Sequence, residues 1–450
     1  MSGQATPEGG PVPDATDLDE VVGICRGLLR MDTSNPGRLE RPAAEYVADL
    51  LTEAGWPVTV LAAEEGRTNV VVCIPGRQPK LDPLLVHCHL DVVPVDERRW
   101  TVDPFGGEER DGCLWGRGAV DMKDMAAMML ASARHYGRTG DSPARDVVMA
   151  FLADEEMGGN LGAGHLVRSH PSLIGGCTVA IGEVGGFSVP VGDGRRIYLV
   201  ETAEKGVAWI RLTAAGAGGH ASMIHGDNPI TRIAHAIRRL EDGGRFQLTT
   251  GTERFLDVIA EARETPTDVR DAEAVRHLLD SLGPVSRMLH ASLRHTYNAT
   301  IVNAGFKENV VPSTADALID ARFLPGLEQD FRQEVERLLD GSGVQWEFER
   351  WLPAVAMANT SRALKDPVFT AIERALRTED PTAVSTPYTL SAGTDAKSFA
   401  KLGMACYGFT PLRLPPDFDF SAQFHADDER VPIDALRFGA RVLKAFLDAY

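Results

Sequence analysis

The stretch Val147–Gly159, "VVMAFLADEEMGG", runs an unbroken apolar segment into three consecutive acids, Asp154, Glu155 and Glu156. A short apolar run that ends on turn residues reads as a strand buried on both faces, the kind found in parallel sheets. Adjacent carboxylates repel one another. Either positive charge gathers at the end of this strand, or the acids form a solvated turn.

Working outward, "NVVVCIPG", "PLLVHCHLDVV" and "TVAIGEV" repeat the same apolar pattern, and they alternate with helical stretches such as "RPAAEYVADLLTEAGW" and "KDMAAMMLASARHY". Such alternation predicts an α/β domain with a mostly parallel sheet, whose chemistry sits at the carboxyl ends of the strands. From about Ile197 the pattern changes. Strands such as "GVAWIRLTAAG", "NATIVNAGF", "DALIDARFL" and "VQWEFERW" surround the helices "NPITRIAHAIRRLE" and "EQDFRQEVERLLDG", and Thr252–His295 reads as mostly helical. This order resembles a split βαβ sandwich. The expected organisation is a flexible leader over 1–16 and a catalytic domain built from 17–200 and 356–450. A smaller α+β, ferredoxin-like domain is inserted at 201–355.

Composition narrows the function. The chain has 450 residues and a formal net charge of −18. That charge disfavours nucleic acid, which needs a basic footprint, and suits bound cations. There is no apolar run of about eighteen residues to span a membrane. The start lacks the basic and apolar regions of a secretory signal. Cys25, Cys73, Cys88, Cys113, Cys177 and Cys406 are scattered without a Cys-x-x-Cys pair, which suggests reduced core thiols and a cytoplasmic location.

Five places put oxygen or imidazole ligands at the ends of strand-like runs: His89 in "HCHLDVVP", Asp121 in "GRGAVDMKD", the opening "DEE", Glu183 in "AIGEVGG", and His425 in "FHADDERVP". Asp91 lies two residues beyond His89, on the same side of an extended chain, where it can accept the ring N–H not on a metal. Each place alone has an ordinary reading: a surface His–Asp pair, a turn or helix cap, loop chemistry. Together they would converge on one edge of a parallel sheet, and mixed imidazole and carboxylate ligands suit zinc, or cobalt and manganese at a permissive site. No Gly-x-Ser-x-Gly elbow or P-loop occurs, and "GRGAVD" misses the dinucleotide fingerprint by ending in Asp. Met122, Met125, Met128 and Met129 read as helix core.

With "GGHAS" and "NVVPSTADALIDARFLPG" added, these motifs resemble the aminoacylase/carboxypeptidase family of co-catalytic zinc hydrolases, from about Asp17 to the C-terminus. The resemblance implies two divalent metal ions, bridged by Asp121, with His89 and Glu183 completing one site and Glu156 and His425 the other. It implies Glu155 as general base, standing off the metals because neighbours on an extended chain face opposite ways, and His220 as oxyanion donor, often from the partner subunit of a homodimer. Arg322 would bind the substrate's free carboxylate, although the alternation in "DALIDARFLPG" alone equally gives an Asp320–Arg322 ion pair. Gly393 and Thr394 in "SAGTDA" would offer backbone contacts to substrate, and turn chemistry explains them nearly as well. The activity implied is hydrolysis of an amide in a short peptide or N-acyl amino acid. An N-carbamoyl-amide hydrolase or a non-catalytic metal- or peptide-binding relative are the alternatives.

Overall fold

The computed structural model describes residues 15–356 and 366–450, so most of the leader expected at 1–16 lies outside the described residues. In chain order, α1 (Ala15–Leu29) and α2 (Arg41–Glu53) precede β1 (Val58–Glu64), β2 (Arg67–Ile74) and β3 (Leu84–His89). The short β4 (Glu108–Arg110) and β5 (Cys113–Trp115) lead to α3 (Lys123–Thr139), β6 (Val147–Leu152), α4 (Ala163–Ser169) and β7 (Val179–Gly182). Then come β8 (Phe187–Gly192) and β9 (Arg195–Glu204).

A second group starts with β10 (Gly206–Ala215), β11 (Gly219–His220) and α5 (Pro229–Glu241). After α6 (Thr250–Ala262), α7 (Ala272–Asp280) and α8 (Ser286–Ala291) it continues with β12 (Thr296–Ala304), β13 (Val310–Val311), β14 (Thr314–Phe323), α9 (Glu328–Leu339) and β15 (Gln345–Leu352). The chain returns through β16 (Val355–Ala356), α10 (Pro367–Glu379), β17 (Val384–Leu390), α11 (Ala396–Ala400), β18 (Ala405–Gly408), β19 (Arg430–Pro432) and α12 (Ile433–Ala449).

The large sheet runs β1-β2-β6-β3-β7-β18-β9-β16, with β8 and β17 also paired to β9. Its centre, β6-β3-β7-β18, is parallel, and antiparallel pairs flank it. β3, β6 and β7 are buried along their whole length. Alternate residues feed two layers: Leu84, Val86, Val147, Met149 and Phe151 enter one apolar cluster, and Leu85, Val148, Ala150 and Leu152 the other. Two covered faces require the continuous apolar runs seen in the sequence. The methionines Met122, Met125, Met128 and Met129 are core, as read. Four of the six cysteines are buried, whereas Cys73 is exposed and Cys113 partly so.

The smaller sheet is β12-β14-β10-β15, antiparallel throughout. With α5 and α9 between its strands this is the ferredoxin-like order expected. Ile319, Ala321 and Phe323 of β14 face its own core while Asp320 and Arg322 do not, which is the alternation read from sequence.

One segment departs from expectation. Phe255, Leu256 and Ile259 of α6 and Leu278 and Leu279 of α7 join the core of the large sheet, not that of the insert. Between α5 and β12 the chain therefore leaves the small domain, covers β17 and β9, and returns. The sequence reads this stretch as mostly helical, and a helical pattern carries no information about which core its apolar residues meet.

Phe331 of α9 stands at the centre of the small core, its ring against Tyr297, Phe323, Phe348 and Trp351. Phe331→Ala should cost about 3–5 kcal/mol. Denaturant unfolding followed by tryptophan fluorescence checks it, since Trp351 packs on the same ring; a change under about 1 kcal/mol would mean this core is not cooperative.

Candidate metal centre

β3, β6 and β7 run parallel and adjacent, so their carboxyl ends share one edge. His89 is the last residue of β3, Asp154 follows β6 by one residue, and Glu183 immediately follows β7. Asp121 arrives on the loop before α3, and His425 on the segment before β19. His89 Nε2 lies 3.0 Å from Asp121 Oδ1 and 3.3 Å from Glu183 Oε2. His425 Nε2 lies 3.2 Å from both Asp121 Oδ2 and Glu156 Oε2. The two oxygens of Asp121 thus face different imidazoles. Ligand atoms of His89, Asp121 and Glu156 fall within 4.8 Å of one another, as do those of His89, Glu155 and Glu183.

The acidic stretch is not extended. Asp154 takes a left-handed backbone (φ 69°), and Glu155–Met157 form a single 3-10 turn. Glu155 and Glu156 therefore diverge by helical rotation, and not by the strand alternation expected from sequence. The turn is held from outside. Asp91 Oδ1 accepts from the Glu155 N–H at 3.0 Å, and Asp91 Oδ2 accepts from the Glu156 N–H at 3.2 Å and from Asn35 Nδ2 at 3.0 Å. This corrects the expected role of the Asp91 carboxylate toward His89. His89 Nδ1 meets the Asp91 backbone carbonyl at 2.9 Å, with the carboxylate at 3.6 Å. Fixing Nδ1 as donor leaves Nε2 as the ring nitrogen with a lone pair for a metal. Asp154 is structural, accepting from Asn35 Nδ2 and the Leu161 N–H.

Electrostatics test whether a cation fits. Burial pushes the Glu155 carboxyl well above its usual range, with Glu183 adding to the effect. Burial and then Asp121 raise Glu156. Burial opposes a charge on His89, yet the Glu183 and Asp121 carboxylates hold its pKa well above the ordinary value. Hydrogen bonding to Asp121 and Glu156 lifts His425 to about 10. The surrounding acids thus favour positive charge at both imidazole positions. Even so, Glu156 Oε1, Glu183 Oε1 and both oxygens of Asp395 are buried with no hydrogen-bond partner. Orphaned, buried carboxylate oxygens beside two imidazoles are what divalent cations resolve, so the donor set fits two such ions.

Several neighbours were not legible as site residues. Lys397 Nζ approaches Glu155 Oε1 at 3.9 Å. Glu429, inside the quoted "FHADDERVP", is buried and accepts from Arg117 Nη1 and from the N–H groups of Gly118 and Val120 at 2.7–2.9 Å. It ties the loop of Asp121 to the segment of His425. The expected role for Thr394 needs correction: its N–H donates to Glu204 Oε1 at 2.9 Å and its hydroxyl donates to the same oxygen, so that N–H is not free for substrate. Gly393 precedes it, partly exposed.

The remaining two candidates sit on the small domain. Arg322 donates to Asp320 through Nε at 2.5 Å and Nη2 at 2.9 Å, the same-face pair that alternation allows. His220, on β11, is exposed, and its Nδ1 accepts from the Ser222 N–H at 3.3 Å and meets Ser222 Oγ at 2.8 Å. Among the described residues its contacts stay within that domain.

The family model of peptidase family M20/M25/M40 matches residues 85–449. Relatives include a probable carboxypeptidase S-like 2 of Dictyostelium discoideum, 29% identical over 80% of this chain and 70% of the relative. An N-fatty-acyl-amino acid synthase/hydrolase PM20D1 of Xenopus tropicalis is 28% identical over 93% and 83%. Aminoacylase-1 of Sus scrofa is 27% identical over 91% and 90%. Among solved structures, the M20 family metallo-carboxypeptidase Sso-CP2 of Sulfolobus solfataricus superposes with a TM-score of 0.68 at 18% identity, covering 97% of this chain and 99% of that one. That likeness speaks for the fold, and the family model for descent: this chain is a hydrolase belonging to peptidase family M20/M25/M40.

Proposed function

We propose that the protein is a di-metal amidohydrolase that cleaves an amide bond in a short peptide or N-acyl amino acid bearing a free carboxylate. The observation that carries this reading is the meeting of His89, Asp121, Glu156, Glu183 and His425 at one sheet edge, with buried carboxylate oxygens left unpaired. The relatives are named for peptides and N-acyl amino acids, and none of the observations favours an N-carbamoyl substrate.

Asp121 would bridge two ions, His89 and Glu183 holding one and Glu156 and His425 the other. Zinc suits this ligand set, with cobalt and manganese as permissive substitutes. When bound, such ions supply Lewis acidity and make water a nucleophile near neutral pH. Glu155 takes a proton from the attacking water onto its carboxylate, and returns it to the amide nitrogen as the C–N bond breaks. Its burial favours the protonated form it must pass through, while Lys397 supports the charged form at the start. Because Nδ1 of His220 accepts from the Ser222 N–H, its neutral tautomer carries the proton on Nε2, an open donor for a developing oxyanion. Such a donor is worth about 3 kcal/mol in the transition state. Arg322, reorienting from Asp320, offers a guanidinium fork to the substrate carboxylate.

A homodimer accounts for the exposure of His220. β12 is an edge strand of the small sheet, and Ile301, Val302 and nearby Phe306 are 46%, 55% and 85% exposed. An exposed apolar edge is a template for pairing. A second copy there would cover these residues and allow His220 to serve the partner's site. Among the described residues no helix is long and apolar enough to cross a membrane. All six cysteines are free, which supports the cytoplasmic reading.

Glu155→Ala should lower kcat by about 10²–10⁴-fold while metal content by elemental analysis stays at two per chain. Loss of one equivalent instead would make Glu155 a ligand. Arg322→Ala should raise KM at least tenfold for carboxylate substrates and little for the matching amides; equal effects on both would remove it from carboxylate binding. Mixing His220→Ala with Glu155→Ala protein should restore up to about a quarter of wild-type activity if sites are completed across a dimer, a statistical share of mixed sites. No recovery would confine His220 to its own chain.

A further inference from the structure

Outside the metal-ligand cluster, four arginines line a single crevice of about 340 Å³. Arg196 comes from the start of β9, Arg413 from the loop after β18, and Arg437 and Arg441 from one face of α12. Leu414, Pro415 and Phe438 form its apolar wall, and Asp434 is the acid that lines it. In a chain of net charge −18, convergence of four guanidinium groups runs against the overall field.

Their counter-ions can be traced. Arg441 Nε donates to Glu379 Oε2 at 2.6 Å. Arg437 donates to Asp19 Oδ1 at 3.0 Å and to Asp434 Oδ1 at 3.3 Å. Among the described residues, Arg196 and Arg413 have no carboxylate partner. Arg196 Nη1 reaches only the Gly194 carbonyl at 3.3 Å, and its Nε is buried without an acceptor. A buried guanidinium donor without an acceptor costs free energy unless a ligand supplies one.

The crevice lies away from the proposed chemistry. β9 carries Arg196 near its start and Glu204 at its end, where Glu204 bonds Thr394. Eight residues of strand at about 3.3 Å each separate the two by roughly 26 Å. A ligand here would not compete with one at the metal-ligand edge.

We propose that this crevice is a binding site for a compact, doubly charged oxyanion of the phosphate class, gripped by Arg196 and Arg413 and flanked by Arg437 and Arg441. Guanidinium forks match tetrahedral oxyanions with paired, charge-assisted hydrogen bonds, and Arg holds its charge at any working pH. The volume accommodates one phosphoryl group with a small moiety attached. The anion is either free phosphate or the phosphoryl group of a small ester. Bound, it would fasten α12 to β9 and to the loop of Arg413.

The test uses the full-length, metal-loaded protein in thermal unfolding at constant ionic strength. Inorganic phosphate or adenosine monophosphate is added at 10 mM against a chloride control. Wild type should gain about 2–4 °C. Arg413 is exposed and unpartnered, so Arg413→Gln should leave basal stability and turnover unchanged and remove most of that gain, and Arg196→Gln with Arg413→Gln should remove all of it. A larger gain with the nucleotide assigns the site to a phosphate ester, and a larger gain with phosphate to the free anion. No gain in wild type, or the full gain persisting in Arg413→Gln and the double variant, overturns the proposal. Loss of hydrolytic activity in Glu155→Ala would not affect this outcome, so the two readings fail separately.

Discussion

Mutual repulsion of buried carboxylates is the constraint around which the catalytic sheet is organised. Asp121, Glu155, Glu156, Glu183 and Asp395 gather where three parallel strands end, and among the described residues His89, His425 and Lys397 answer them from nearby. Burial alone would drive these acids to protonate, and several are pushed that way. Two divalent ions would reverse that pressure. They would turn this cluster of like charges into an anchor of the sheet edge, as metal binding does when it is coupled to folding.

The protein holds this edge with a hydrogen-bonded scaffold behind it. Asp91 spends both carboxylate oxygens on the backbone of the Glu155–Glu156 turn and on Asn35, and Asn35 also reaches Asp154. Glu429 performs the same service for the loop of Asp121, with Arg117 as its buried counter-ion at 2.7 Å. These contacts set angles and distances of acidic side chains that would otherwise move apart, which is the preorganisation a hydrolytic site needs.

The join between the domains has its own electrostatics. Lys205, between β9 and β10, is buried and donates to the Ala291 carbonyl and Thr296 Oγ1, each at 3.1 Å. Burial, with Arg322 and Arg294 nearby, pulls its pKa down to about 7. One residue earlier, Glu204 holds the loop of Thr394. The strand that leads into the small domain thus touches, through adjacent side chains, both the helical cover of the large sheet and the loop before Lys397. Any tilt of the small domain would be felt at both.

The sequence by itself determined the elements whose signal is local. Buried strands need unbroken apolar runs, so β3, β6 and β7 and the acids and imidazole at their ends were legible. Alternation along β14 placed Asp320 and Arg322 on one face. The strand and helix order of the insert carried its ferredoxin-like topology. Only the tertiary structure decided features that depend on what a side chain meets. Asp91 cups a turn with its carboxylate and takes the His89 Nδ1 hydrogen bond on its backbone carbonyl, with the left-handed backbone at Asp154 turning the Glu155 and Glu156 N–H groups toward the carboxylate. The Thr394 N–H is consumed by Glu204, 190 residues away. α6 and α7 cover the large sheet, since an amphipathic pattern states that a helix has an apolar face and not which core will receive it. The same limit hid the arginine crevice, whose members come from β9, a loop and α12. Spacing along a chain encodes local periodicity, whereas the partners of a charge are set by three-dimensional packing between distant segments.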